Sequence, residues 1–226
     1  MNTFFLDRLN SEPHALAFAG QSTPWPVALA DQSANPALDE ALHTHAAAAQ
    51  ALLYPVSAEL LATTGRPVDL FGFEPNPARL GAAAAASASV PGIALTQLGA
   101  LLDAAALGYN PAQAKTVAVL GHSQGVLAVH MVQAICEAGS IDAAAAKIDE
   151  ILAIATLIGV AGTRQARQLG LAARHGEATP MLSVKDITRA QVDALIERVD
   201  GARGPIAVAV TNSATHYVLS GYPEDL

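Results

Sequence analysis

The sequence predicts a mixed α/β chain, with a larger helix-rich part over residues 1–179 and a smaller part over 180–226. Three observations carry this. Thr116–Leu120 is a β-branched apolar run of strand length, followed at once by Gly121-His122-Ser123-Gln124-Gly125 and then by helix-period residues Val126–Ala138. Roughly a fifth of the 226 residues is alanine, the best helix former. The texture then changes at Pro180, after which the chain reads strand–helix–strand–strand, the first part of a ferredoxin-like unit.

Taken in order, Ala15–Phe18 is a short apolar run ending in Ala19-Gly20-Gln21-Ser22, a buried strand that enters a tight loop. Asn35-Pro36 has the form of a helix start, with Asn as cap and Pro at the first helical position. That helix is expected from Ala37 to Leu53, with Pro55 as kink or restart and Thr64–Pro67 as its stop. Val68–Leu80 holds Gly72, Pro75 and Pro77 and reads as loop, and the Ala-rich run Gly81–Ser89 reads as helix. Pro91 is expected to open another helix reaching Leu107, ended by Gly108 and Asn110-Pro111. After the Gly-x-Ser-x-Gly turn and its helix, Gly139-Ser140 breaks the chain and Ile141–Val160 is a long helical stretch. Met181–Val184 is a strand, and Thr188-Arg189-Ala190-Gln191 has the form of a capping box opening a helix to Val199. Ile206–Val210 and Tyr217–Leu219 are strands joined by Thr211-Asn212-Ser213.

Composition removes several function classes. Twelve basic against 20 acidic residues give a net charge of −8, without the basic face a nucleic-acid binder needs to displace counterions. Hydrophobic residues make up 52% and charged residues 14%, enough to build a core and too apolar for disorder. The single cysteine, Cys136, forms no internal disulfide and no Cys-rich metal site. The N-terminus has neither the basic start nor the long apolar run of a signal peptide, and the longest apolar runs fall short of a bilayer span. No metal-ligand spacing is visible; His43 and His45, two apart on a helix, do not face one way. The expectation is a soluble cytoplasmic protein that binds no nucleic acid, membrane or metal.

Gly121–Gly125 is the motif that carries chemistry. A strand running into Gly-x-Ser-x-Gly and a helix leaving it is the context of a nucleophile elbow, which lifts the serine Oγ above the sheet. The helix start offers free N–H groups and a positive dipole end, and the Gln124 N–H would face the oxyanion of a tetrahedral intermediate. Ser123 also needs a base. His130 lies seven residues on along the same helix, a partly buried structural position; His175 sits in a polar stretch; His122 supports the turn; His216 lies in the later hairpin, where an ordinary strand histidine is the simpler reading. No convincing base emerges from these residues, and His216 stands as the fallback.

GHSQG after an apolar strand, with FAGQS about a hundred residues before the serine, resembles the acyl-carrier-protein acyltransferases of fatty acid and polyketide synthesis. More narrowly it looks like the acetyltransferase domain of bacterial type I fatty acid synthases, related to the fungal β subunit. The similar segments are Ala17–Ser22, Ser89–Leu98, Val117–Val129, Ile151–Val160 and Val208–Gly221, spread over nearly the whole chain. The resemblance implies an α/β-hydrolase-like large subdomain with a ferredoxin-like small subdomain inserted after the elbow half. It implies ping-pong transfer, in which a serine takes an acyl group from coenzyme A and the phosphopantetheine thiol of an acyl carrier protein removes it. Ser123 then carries over as nucleophile, Gln21 and Gln124 as backbone donors of the oxyanion hole, and Asn212 as a substrate contact. Acyl-coenzyme A is implied as substrate, with no covalently bound cofactor in this region, and other fatty acid synthase domains as partners.

Two departures qualify the resemblance. The family's catalytic histidine lies beyond the small subdomain, and this chain stops inside it, so the expectation is an N-terminal fragment without its base. Malonyl-specific members carry an arginine on the helix after the elbow to pair with the free carboxylate. Ile151–Val160 has none, Arg164 and Arg167 coming later, which favours acetyl. Two other readings stand beside this one. A serine esterase or thioesterase would use Asp186 or Asp193 with His216. An inactive structural piece of a multienzyme would form no acyl-Ser123.

Overall fold

A computed structural model describes residues 3–20, 24–52, 70–71, 86–168, 181–199, 204–222 and 225–226. Expectations that fall on Gln21, Ser22, Pro55, Thr64–Pro67, Gly81–Ala85 or His175 lie outside the described residues. The chain divides into two compact units, Met1–Arg164 and Gln165–Leu226.

In the first unit, α1 (Thr3–Ser11) leads into β1 (His14–Phe18), followed by α2 (Trp25–Ser33), α3 (Pro36–Leu52) and α4 (Ala86–Ala106). Then come β2 (Thr116–Gly121), a 3₁₀ turn (Ser123–Gly125), α5 (Val126–Ala138) and α6 (Ala145–Gln168), whose last turn reaches past the unit's end. β1 and β2 pair in parallel, with Ala15 opposite Ala118 and Phe18 opposite Gly121. α5 packs on both strands, and α2, α3 and α4 pack on one another. Leu42, Ile93, Leu95, Leu98, Met131, Ile135 and Ile148 are fully enclosed between these helices.

Three boundaries differ from the sequence expectation. Pro91 does not open a helix; it lies inside α4, which starts at Ala86. Residues 87–99 are buried on every side, and the Ser87 N–H at the helix start donates to Thr163 Oγ1 of α6 at 2.9 Å. Burial on every side and the Thr163 bond hold the turn that precedes Pro91, whose missing N–H removes only the bond to the Ser87 carbonyl. α4 is also long and apolar enough to cross a membrane, contrary to the reading that every apolar run is too short; 72% of its apolar window is buried within the protein. α6 begins at Ala145 instead of Ile141, because Ile141–Ala144 forms a turn in which Ser140 Oγ accepts the Ala143 N–H. It also continues to Gln168, so Arg164 and Arg167 belong to this helix and do not follow it. α1 and α2 were not anticipated; Pro24 at the start of α2 makes no side-chain cap bond.

The second unit contains β3 (Met181–Lys185), α7 (Arg189–Val199), β4 (Ala207–Ser213) and β5 (His216–Ser220). The antiparallel sheet has the order β3-β5-β4. Thr188 and Gln191 cap α7 reciprocally: Gln191 Oε1 accepts the Thr188 N–H at 2.9 Å and Thr188 Oγ1 the Gln191 N–H at 3.4 Å. Val192 of α7 meets Ile206, Tyr217 and Leu219 in a small core. Thr211-Asn212-Ser213, expected as a connection, are the last residues of β4, and the turn is Ala214-Thr215.

Candidate active site

β2 delivers its last residue, Gly121, to a sharp turn. His122 is extended (φ −95°, ψ 128°), and Ser123 then takes φ 55°, a left-handed backbone that only glycine adopts without cost. Gly125 N–H donates to the His122 carbonyl at 2.9 Å, which closes the turn, and α5 begins at Val126. The backbone here has no space to spare. A Cβ at Gly125 would sit 2.9 Å from the Ala19 carbonyl oxygen and closer still to that of Phe18. Gly125 therefore follows from a helix start pressed against the end of the neighbouring strand, and Gly121 from the same helix start folding back over it.

The same contact brings β1 to the serine. His122 N–H donates to Phe18 O at 3.0 Å, which extends the strand pairing to the elbow. A Cβ on Gly20 would lie 2.8 Å from Ser123 Cβ, so Gly20 is held against the elbow. Gln21, the expected second oxyanion donor, is the next residue and lies outside the described ones. Gln124 is in place at the helix start, where the first N–H groups have no intrahelical acceptor. Its side-chain Nε2 is buried and has no hydrogen-bond partner among the described residues.

Sequence reasoning missed Gln97. It is a buried residue of α4 whose Nε2 donates to the Ala19 carbonyl at 2.6 Å, pinning the loop between β1 and Gln21. The available signal was a lone amide side chain in a helix whose other residues, Asp103 apart, are apolar or small.

Ser123 is exposed, and among the described residues its Oγ has no hydrogen-bond partner. His130, expected partly buried, is exposed on α5. His43 and His45 do not share a ligand: His43 pairs with Asp39 at 3.3 Å and His45 with Asp149 at 2.7 Å. No metal-binding cluster occurs among the described residues. Ser123 and Gln124 belong to the first unit, Asn212 and His216 to the second. Within that second unit, His216 Nε2 meets Ser183 Oγ at 2.9 Å and Asn212 Nδ2 at 3.4 Å. Among the described residues neither Asp186 nor Asp193 touches it, and Asp193 pairs with Arg189 at 2.8 Å, so the acid–histidine pair of the esterase reading does not form in this unit. Arg164, on α6, has its Nε and Nη2 shielded from solvent.

The arrangement provides an accessible hydroxyl on a strained turn, beside a helix start and a pinned backbone loop. That suits formation of an ester at Ser123 through a tetrahedral oxyanion. No curated protein matches the chain in sequence. An acyl-carrier-protein-S-malonyltransferase from Bartonella henselae superposes with a TM-score of 0.51 at 19% identity, over 95% of this chain and 56% of that one. The likeness is one of fold, and the chain spans little more than half the length of that protein. Residues 74–226, more than half of the chain and including the whole elbow, match the family described as the starter unit:ACP transacylase in aflatoxin biosynthesis, and to that family the chain belongs.

Proposed function

We propose that the chain carries the nucleophile of an acyltransferase that moves a short acyl group from coenzyme A to Ser123 and then to the phosphopantetheine thiol of an acyl carrier protein. The observation that carries the reading is the backbone at Ser123: a non-glycine residue at φ 55° between a parallel strand and a helix start, with its hydroxyl exposed. Strain of this kind persists where the surrounding packing fixes it, and here Gly20, Gly121 and Gly125 do so.

In this reading the reaction is ping-pong. Ser123 Oγ attacks the thioester carbonyl, and the backbone N–H groups of Gln124 and Gln21 stabilise the oxyanion. Coenzyme A leaves, and the carrier thiol then takes the acyl group. The two units correspond to the hydrolase-like large subdomain and the inserted ferredoxin-like small subdomain of such enzymes, and Asn212 contributes a substrate contact from the small one. The setting is cytoplasmic priming of fatty acid or polyketide synthesis within a larger multienzyme. The absence of arginine from Ile151 to Val160 supports acetyl over malonyl; Arg164, the first arginine of α6, has its Nε and Nη2 shielded from solvent.

The test is acylation followed by peptide mass spectrometry. The chain is incubated with acetyl- or malonyl-coenzyme A, then with a carrier protein bearing its thiol. Acetyl on the Ser123 peptide, absent in Ser123→Ala and discharged by the carrier, is the expected result. Discharge to water at the same rate without carrier would make the protein a hydrolase. An adduct of equal yield in Ser123→Ala would remove Ser123 from the mechanism.

A further inference from the structure

The second unit holds a hydrogen-bonded polar cluster whose serine, Ser183, has no part in the proposed transfer at Ser123. Side chains on β5 alternate between half-buried and buried: Tyr217 and Leu219 enter the core under α7, while His216, Val218 and Ser220 take the opposite face. Ser183 of β3 stands opposite Val218 and Lys185 opposite His216, so both belong to that second face. Across it, Ser183 Oγ lies 2.9 Å from His216 Nε2, and Asn212 Nδ2 of β4 lies 3.4 Å from the same nitrogen. An amide N–H donates to Nε2 only if that nitrogen carries the lone pair and Nδ1 the proton. The Asn212 amide nitrogen can only donate, so its contact selects the tautomer with the lone pair on Nε2, and the Ser183 hydroxyl fits that tautomer as donor. Ser183 is exposed, so an acyl donor can reach it.

We infer that Ser183 and His216 form a second acyl-accepting dyad, which takes short acyl groups from activated esters and thioesters independently of Ser123. Ser183 Oγ attacks the acyl carbonyl carbon, forming the new C–O bond, and its proton passes to His216 Nε2. The bond from the carbonyl carbon to the leaving oxygen or sulfur breaks with its electron pair. The leaving group takes the proton from Nε2, which leaves an ester on Ser183 and a neutral imidazole. Lys185 places a cation on the face where the oxyanion develops.

The experiment uses the full chain carrying Ser123→Ala, p-nitrophenyl acetate as acyl donor, and mass spectrometry of the resulting peptides. Ser213 serves as internal reference: it is also exposed and stands opposite His216 on β4, but its Oγ accepts the Thr215 N–H and makes no hydrogen bond to a histidine among the described residues. The expected result is acetyl on Ser183 at about a hundredfold or more the rate at Ser213, falling by about 10²-fold or more in His216→Gln. Ser183→Ala should abolish the adduct. Equal labelling of Ser183 and Ser213, or labelling unchanged in a folded His216→Gln chain, would overturn the dyad. Should His216→Gln not fold, the Ser183-to-Ser213 ratio in the chain that keeps His216 decides alone.

Discussion

Ser123→Gly should make the protein more stable than Ser123→Ala, although both lose the nucleophile. The reasoning starts from φ 55° at Ser123. For a residue with a Cβ that backbone costs about 1–2 kcal/mol, and alanine retains the cost. Glycine removes it but loses about 0.5–1 kcal/mol through the greater freedom of its unfolded chain. Ser123 is exposed, so its truncation forfeits little packing. The glycine variant should therefore exceed the alanine variant by about 0.5–1 kcal/mol, or about 1–4 °C in melting temperature for a chain of this size. Trp25 gives the readout. It is the single tryptophan, 3% exposed, with its ring against Gly92 of α4, so its fluorescence follows the first unit alone. Urea midpoints of the two variants at equal slope supply the difference. A glycine variant no more stable than the alanine one would mean that Ser123 is not strained, and the elbow would lose its main physical support.

Gly125→Ala places a methyl group against the Phe18 and Ala19 carbonyls and should destabilise the same Trp25 transition by about 1–3 kcal/mol. Gln97→Leu deletes the donor to Ala19 but also a buried Oε1 that has no partner among the described residues. These changes offset, so stability should stay within about 1 kcal/mol, while release of the Ala19–Gly20 backbone should slow acylation of Ser123 by about ten- to a hundredfold. Burial pushes the Tyr109 phenol above its ordinary value of 10.0, although its hydroxyl also bonds Thr116 and His14. A raised value means the neutral form is favoured in the fold. Its contribution is whole below the ordinary value and is lost as pH rises through the folded one. The urea midpoint should therefore fall more steeply above about pH 10 for the natural chain than for Tyr109→Phe.

What the sequence made legible was local. β1, β2 and α5 follow from short-range pattern: a short apolar run, a β-branched run, a Gly-x-Ser-x-Gly turn, and Gly139 at φ 87° where α5 ends. The capping box at Thr188 is local too, and α7 begins at the next residue. The errors share one physical source, which is tertiary support. Pro91 reads as a helix start unless one knows that Thr163, 76 residues away, caps Ser87. Asn212 reads as loop because Thr-Asn-Ser suits turns, yet pairing with β5 carries the strand through it. His216 reads as an isolated strand histidine because its partner Ser183 is 33 residues distant. Gln97 is the same case at a separation of 78, and no periodicity encodes its hold on Ala19.

This division between local and distant also separates the parts of the candidate site. The turn, the strain and the helix start are fixed within Phe18–Gly20 and Gly121–Val126, whereas among the described residues of the first unit no side chain is hydrogen-bonded to Ser123 Oγ to take its proton. Positioning without a base held on Ser123 within the first unit predicts chemical rescue. Missing general-base catalysis lowers a rate by typically about 10²–10⁴-fold, and a small base that can enter an exposed site recovers part of it. Acetylation of Ser123 by acetyl-coenzyme A should therefore rise linearly with added imidazole, after subtraction of the Ser123→Ala background. Gly125→Ala, which disturbs the turn, should not be rescued. A rate independent of imidazole would show that the chain already brings a base to Ser123, and His216→Gln would then test whether the second unit provides it.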